Sequence, residues 1–416
     1  MISRSQLSDE DFNLIKDFVP GTDPEIRHCK RPAANIREVI PVADTVLDGN
    51  ELRYVTECIE TNWISSIGPY VRRFESEFAN AAGCKYGVAC ANGTVALHLA
   101  LATLGIGHGD EVILPAFTMI ATPNAVSYTG ADPVLVDAEP VTWNMDVGLI
   151  EQKITSRTKA IIVVHTYGHP VDMDPVNEIA RRHNLLVIED AAEAHGATYH
   201  NRPAGSLSDA ATFSFYANKI VTTGEGGMIT TNNEELALTA RRLRDHAFSA
   251  ERHFWHQYLG FNYRMTNLQA AIGLAQTERL AELIETRRRN AGLYHQALGD
   301  IKGLGLPQQA AYAKNVFWMY GIVVEDSFGC SRDVLRQKLA EQGIETRTFF
   351  IPIHFQPIYF ERFRGQKFPV AEDLCKRGLY LPSGPALTEA EIHFISDTIR
   401  KNGKWGNEEW RMKNGE

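Results

Sequence analysis

A lysine set among aromatic and small residues, in Ser214-Phe215-Tyr216-Ala217-Asn218-Lys219, is the strongest candidate for covalent chemistry in this chain of 416 residues. A desolvated lysine beside cationic or phosphate-binding groups loses its proton readily and attacks carbonyl carbon. Most lysines at strand ends are merely solvated, so this one needs company to mean more. Glu189-Asp190 closes the apolar run Leu185-Leu186-Val187-Ile188. Carboxylates at the end of a buried strand are costly without partners. A helix-capping Asp in a loop is the plain reading, and a carboxylate facing a protonated ring nitrogen is the chemical one. Asn92-Gly93-Thr94 lies between the short run 86–91 and a helix-like stretch, 95–105. Its glycine admits close backbone approach, and free N–H groups at a helix start suit a phosphate, although an ordinary N-cap reads the same way. In chain order, phosphate cup, strand-end carboxylate and lysine are the parts a pyridoxal-phosphate site needs.

The scaffold for these residues is legible as alternation. VILP (112–115), PVLVD (133–137), AIIVVH (160–165) and LLVIED (185–190) are short apolar runs separated by helix-like segments. Strands buried on both faces of a parallel sheet read this way, and ligands gather beyond the carboxyl ends of such strands. TTGEGGMITT (222–231) reads as a turn entering another strand. Asn50 is positioned to cap a helix carrying Leu52, Val55 and Ile59 on one face, and Phe74 and Phe78 mark the apolar face of another. A long helical stretch from 267 to about 298 carries Arg287, Arg288 and Arg289. The parse is α/β: a large domain, 39–285, with a mostly parallel central sheet flanked by helices, then a smaller C-terminal α+β domain, 286–416. Residues 1–38, punctuated by Pro20, Pro24 and Pro32, form an N-terminal extension.

Composition narrows the function classes. With 44% hydrophobic and 22% charged residues the chain can bury a core. A net charge of -9 repels a phosphate backbone, which speaks against nucleic acid as a partner. An anionic ligand must therefore be met by local positive charge. Six cysteines lack C-x-x-C spacing, so neither a metal site nor a redox pair is expected, and free thiols suit a reducing cytosol. The first twenty residues contain no continuous apolar core of a signal peptide, and no run approaches a membrane helix. The expectation is a cytoplasmic protein with no membrane partner.

Seven ordered motifs carry a resemblance: TNWISSIGPYVRRFE (61–75), NGTVALHLAL (92–101), VILPAFTMIATPNAV (112–126), VIEDAAEAHGA (187–197), FSFYANKIVTTGEGGM (213–228), GFNYRMTNLQAAIGLAQ (260–276) and TRTFFIPIHFQP (346–357). In these pieces the chain is similar to the DegT/DnrJ/EryC1/StrS family of sugar-nucleotide aminotransferases, fold-type I pyridoxal-phosphate enzymes. The resemblance runs from about residue 40 to the end and leaves the extension outside. It implies that Lys219 carries the cofactor covalently and moves protons, and that Asp190 pairs with the pyridine nitrogen. Glu193 would stand near the phenolic oxygen, and Gly93, Thr94 and Ser214 would bind the phosphate. It further implies a homodimer with shared sites, in which Asn262 reaches the partner's phosphate. Ser66, Tyr263, Arg264 and His354 would border the nucleotide sugar. Relatives usually present an aromatic ring where this chain has Met119, whose thioether can still pack on a π face, with Phe117 available to help. His195 reads as structural.

Two of the motifs look most like members that pass an amino group from glutamate to C4 of GDP-4-keto-6-deoxymannose. Transfer at C3 of another sugar and synthesis of an aromatic amino acid use the same motifs. Related sugar dehydratases carry His in place of Lys219. A non-catalytic regulatory protein would leave Asp190, Lys219 and Asn262 idle.

Overall fold

The computed structural model describes residues 7–26, 36–249, 252 and 254–404. Pro32, Cys29 and the polar tail after residue 404 lie outside the described residues. The chain opens with a short helix, α1 (Asp9–Ile15), then α2 (Glu51–Glu60), α3 (Pro69–Ala81) and α4 (Gly93–Thr103). One sheet organises the large unit. Its strands are β1 (Tyr86–Cys90), β2 (Glu111–Pro115), β3 (Asp132–Val136), β4 (Thr158–Val164), β5 (Leu186–Asp190), β6 (Ala210–Ser214) and β7 (Gly227–Thr231). They lie in the order β1-β7-β6-β5-β4-β2-β3. Neighbours from β3 to β6 run parallel, and β7 is antiparallel to both β6 and β1. The four apolar runs read from the sequence are β2 to β5, and every residue of β2 is buried. Burial on both faces explains why these strands show no alternation.

Three sequence expectations are corrected. The inner face of α2 is Glu51, Tyr54 and Cys58, while Leu52 and Ile59 are 79% and 61% exposed. The helix turns its acidic residue inward because Glu51 accepts from the Gly49 N–H (2.8 Å) and from Gln276 (2.6 Å). Asn50 does not cap it: its amide donates instead to Glu278, at 2.7 Å. The stretch read as a single helix is two, Asn267–Glu278 and Leu280–Leu298, broken at Arg279 (φ -108°, ψ 8°). α3 buries Phe74 and Phe78 as expected.

A four-stranded antiparallel sheet centred on Tyr320–Val324 and Gly378–Leu381 builds the C-terminal unit. The boundary placed between 285 and 286 falls inside the helix Leu280–Leu298. That helix packs Leu283 into the core of the large sheet and Ala291, Tyr294 and Leu298 into the other core. Ile40 bridges to Ile344 and sits in the second core, so the chain crosses the C-terminal unit before it builds the large sheet.

Candidate active site

At the carboxyl end of the central strands lies a cavity of about 690 Å³, lined by Asn92, Gly93, Thr94, Met119, Asp190, Glu193, Ser214 and Lys219 among others. All seven of the residues that the resemblance assigns to the cofactor within one chain are therefore brought together, and Asn92 joins them beside Gly93. Lys219 is the only lysine among the lining residues.

Local structure puts each one there. α4 starts at Gly93 because Asn92 caps it, its side chain accepting from the Val95 N–H at 3.0 Å. The glycine is required by packing: a Cβ at position 93 would come within 2.7 Å of the Ser214 Cβ. Ser214 ends β6, so strand end and helix start form a narrow cup of N–H and hydroxyl donors, which suits a phosphate. Asp190 ends β5 and is buried. Its carboxylate accepts from the Thr122 hydroxyl (2.8 Å) and the Ala192 N–H (3.2 Å). Burial outweighs these two donors and raises the Asp190 carboxyl above the ordinary range. A buried carboxylate short of counter-charge, on the cavity wall, is complementary to a cationic ring nitrogen.

Lys219 lies across from it. Burial lowers the basicity of its amine, more than Glu193 and Asp190 restore it, and the Arg287 guanidinium lowers it further. Its Nζ stands 4.0 Å from Glu193 and 3.8 Å from the centre of the Trp318 ring. Trp318 in turn donates its Nε1–H to the Asn218 carbonyl (2.8 Å), which fixes the ring beside the amine. Glu193 is buried and its carboxyl is pushed up to about 7, chiefly by burial. It accepts from the Tyr167 N–H at 2.7 Å. Tyr167 holds a left-handed backbone (φ 52°, ψ 18°), a conformation rare outside glycine that aims this N–H at the carboxyl.

Glu189, the other carboxylate of the pair, serves the scaffold. It faces away from the cavity and accepts from the Gly205 and Leu207 N–H groups and the Ser208 hydroxyl, at 2.8 to 2.9 Å. His165 completes the set: its Nδ1 accepts from the Val171 N–H, so Nε2 carries the proton and donates to Glu189 at 2.9 Å. His195 is fully buried among Phe78, Phe213 and Phe215, and burial pushes it down to about 3, which keeps it neutral. Met119 lines the cavity, whereas Phe117 is buried behind it against Tyr167, Phe349 and Phe350.

Five expected site residues are not among those lining this cavity. Asn262 is exposed, in a segment that runs beside the end of β1, where Ala91 donates to the Tyr263 carbonyl (2.9 Å). The Tyr263 hydroxyl meets His98 Nδ1 at 3.0 Å, and Arg264 pairs with Asp245. Ser66 is half-buried in a loop tied down by Asn267, which donates to the Ser65 and Trp63 carbonyls. His354 is buried, its Nε2 3.2 Å from Glu372.

Sequence reasoning missed Thr122, Tyr167, Trp318, Phe350 and Tyr380, all placed on or behind the cavity wall. Thr122 had a signal, being a hydroxyl inside the 112–126 motif. Trp318, Phe350 and Tyr380 come from the C-terminal unit, more than 90 residues beyond Lys219 in the chain, and nothing local marks them.

A lysine of lowered basicity, a buried carboxylate for a ring nitrogen and a phosphate cup on an open α/β sheet define a pyridoxal-phosphate-dependent aminotransferase of fold type I. Comparison with known proteins agrees. The chain belongs to the DegT/DnrJ/EryC1/StrS aminotransferase family, which it matches over residues 46–400. It is 51% identical over 354 residues to a GDP-perosamine synthase of Caulobacter vibrioides, covering 85% of this chain and 95% of that one. It is 44% identical over 362 residues to a GDP-perosamine synthase of Escherichia coli O157:H7, covering 87% and 98%. The crystal structure of DesI with its TDP-sugar product superposes with a TM-score of 0.81 at 31% identity, over 90% of this chain and 95% of that one.

Proposed function

We propose that this chain, as a cytoplasmic homodimer, transfers an amino group from glutamate to C4 of GDP-4-keto-6-deoxymannose. One observation carries the reading: Lys219, Asp190 and Glu193 converge in a single cavity with the Gly93–Ser214 cup. The identity of the acceptor draws support from the two perosamine synthases above. A lysine at position 219 favours amino transfer over the dehydration performed by relatives with His there.

Pyridoxal phosphate, when bound, supplies an electron sink for the carbon that loses a proton. The chain's own residues do the rest. Lys219 Nζ would hold the cofactor. Its amine would take the proton from the donor's α carbon and, in the second half of the transfer, deliver one to C4 of the sugar. Burial lowers its basicity, the direction that role requires. Asp190, oriented by Thr122, would hold the ring nitrogen protonated. Glu193 would stand beside the phenolic oxygen, Gly93, Thr94 and Ser214 would hold the phosphate, and Met119 would pack over the ring.

Asn262 acts on the partner subunit's phosphate, and Ser66, Tyr263, Arg264 and His354 border the sugar. Support for the dimer comes from the surface. Leu52, Ile59, Trp63, Ile64 and Ile67 are all exposed and clustered in sequence, an apolar patch of the kind that a second copy covers. The cytoplasmic assignment rests on unpaired thiols at Cys58, Cys84, Cys90, Cys330 and Cys375. Among the described residues no helix is long and apolar enough to cross a membrane.

The test is a panel of nucleotide-linked 4-keto and 3-keto sugars with isotopically labelled glutamate and mass detection. Label is expected in the amine formed from GDP-4-keto-6-deoxymannose. Label confined to products of 3-keto sugars would overturn the assignment.

A further inference from the structure

Residues 7–26 precede the family match, which starts at residue 46, and the proposed chemistry gives them no task. They are packed all the same. α1 is capped by Ser8 and buries Ile15. Phe18 lays its ring on Phe355, with centroids 4.5 Å apart. Its carbonyl accepts from the Cys375 thiol at 3.3 Å. Asp11 pairs with Arg364 at 2.7 Å. Arg336, almost wholly buried, finds its carboxylate in Asp23, and the charge of Asp23 reaches Tyr380.

Those contacts bear on one wall of the active-site cavity. Phe350 and Tyr380 both line it. Phe350 opens a stretch with little regular structure, 350–356, pinned from one side where the Ile353 N–H donates to the Ala116 carbonyl (2.9 Å). Phe355, under Phe18, is the grip on the other side. Tyr380 lies in the strand Gly378–Leu381, whose first carbonyl accepts from Arg332, and the helix before it ends near Cys375. The cofactor side of the cavity, by contrast, is built from the large sheet and is not touched by this segment in any of these contacts. Tyr380 is paired with strands on both sides, opposite Gly321 and Arg347. The irregular stretch 350–356 is therefore the part of this wall that gains most from an added anchor, because ordering done in advance is not charged to the ligand.

We propose that residues 8–23 are a brace that positions Phe350 and Tyr380 for the acceptor sugar, with Phe18 and Asp23 as its positioning residues. This rests on the amino-transfer reading for its substrate, but not for its mechanics. The experiment therefore has two arms, both on the full chain carrying Phe18→Ala or Asp23→Asn. In cofactor-free protein, backbone hydrogen exchange across 349–356 is expected to quicken by about tenfold in Phe18→Ala, while peptides covering β5 stay unchanged. In the loaded enzyme the KM for the keto-sugar is expected to rise about fivefold, while the glutamate-only half of the reaction, followed without any sugar, keeps its rate. Phe18→Leu, which keeps an apolar cover, should recover most of both effects. Unchanged exchange at 349–356 overturns the brace. So does quickened exchange with an unmoved sugar KM, or a glutamate half-reaction slowed equally. Should Phe18→Ala not fold, Asp23→Asn decides alone, since that side chain is 66% exposed and the amide still offers an oxygen to the buried Arg336 while removing the charge. Failure of the glutamate half-reaction in the unaltered chain would count against the enzyme reading and leave the exchange result to judge the brace.

Discussion

Replacing Glu193 with Gln probes whether the cavity floor keeps a carboxyl that resists ionisation. Burial holds that carboxyl at about 7 in place of the ordinary 4.5, against the opposing pull of Lys219 and the Tyr167 N–H. Between pH 4.5 and about 7 the folded chain therefore keeps a proton that the unfolded chain has already released. The unfolded state binds fewer protons in this window, so stability falls as pH rises through it, and the loss is complete above it. At about 1.4 kcal/mol for each tenfold in acid strength, ionising Glu193 in place costs on the order of 3 kcal/mol. Gln offers an oxygen to the Tyr167 N–H and has no proton to lose. Denaturant unfolding of cofactor-free protein should therefore show the two chains closest near pH 4.5, with Glu193→Gln gaining by up to about 3 kcal/mol at pH values above about 8. Lys219→Ala supplies the cross-check: without the ammonium's pull, the window of the unaltered Glu193 should move upward. Stability profiles of the wild type and Glu193→Gln that run parallel across the window would refute the reasoning, since they would mean a carboxyl that ionises as freely folded as unfolded.

Lys219→Ala should abolish both turnover and the borohydride-reducible link to the cofactor, because no other lysine lines the cavity; purified variant protein retaining that link would contradict the assignment. Asp190→Asn exchanges a buried anion for a neutral amide while keeping a group for Thr122 and Ala192 to meet. Losing a charge-assisted bond of about 2 to 3 kcal/mol should slow turnover by roughly 100-fold, with circular dichroism unchanged, and near-normal rates would argue for a different partner of the ring nitrogen. An Asn262 variant mixed with a Lys219 variant should recover part of the activity through heterodimers carrying one intact site. No recovery under conditions that exchange subunits would indicate sites confined to one chain.

Much of this was legible in the sequence, for a physical reason. β2 to β5 are buried on both faces, so they appear as unbroken apolar runs whose ends mark the site, and Asp190 stands at such an end. Gly93 is legible because only the smallest residue tolerates Ser214 so close. α2 was misread because its inward side is polar: Glu51 is buried through its bonds to Gln276 and the Gly49 N–H, and apolar periodicity then points to the outer side. The break at Arg279 has neither Gly nor Pro to announce it. Tyr167 was invisible because a left-handed tyrosine is imposed by its surroundings, in a position where local preference would favour glycine. The segment before the domain reads only as an extension, since its anchoring partners, Phe355, Arg336, Arg364 and Cys375, lie more than 300 residues away.

The helix Leu280–Leu298, with Leu283 in one core and Tyr294 and Leu298 in the other, has a consequence for anyone trying to dissect this protein. No cut in the chain separates the two cores without exposing an apolar stripe that one of them needs. Expression of either half alone should yield aggregates, and a differential scanning calorimeter should record one endotherm for the intact polypeptide.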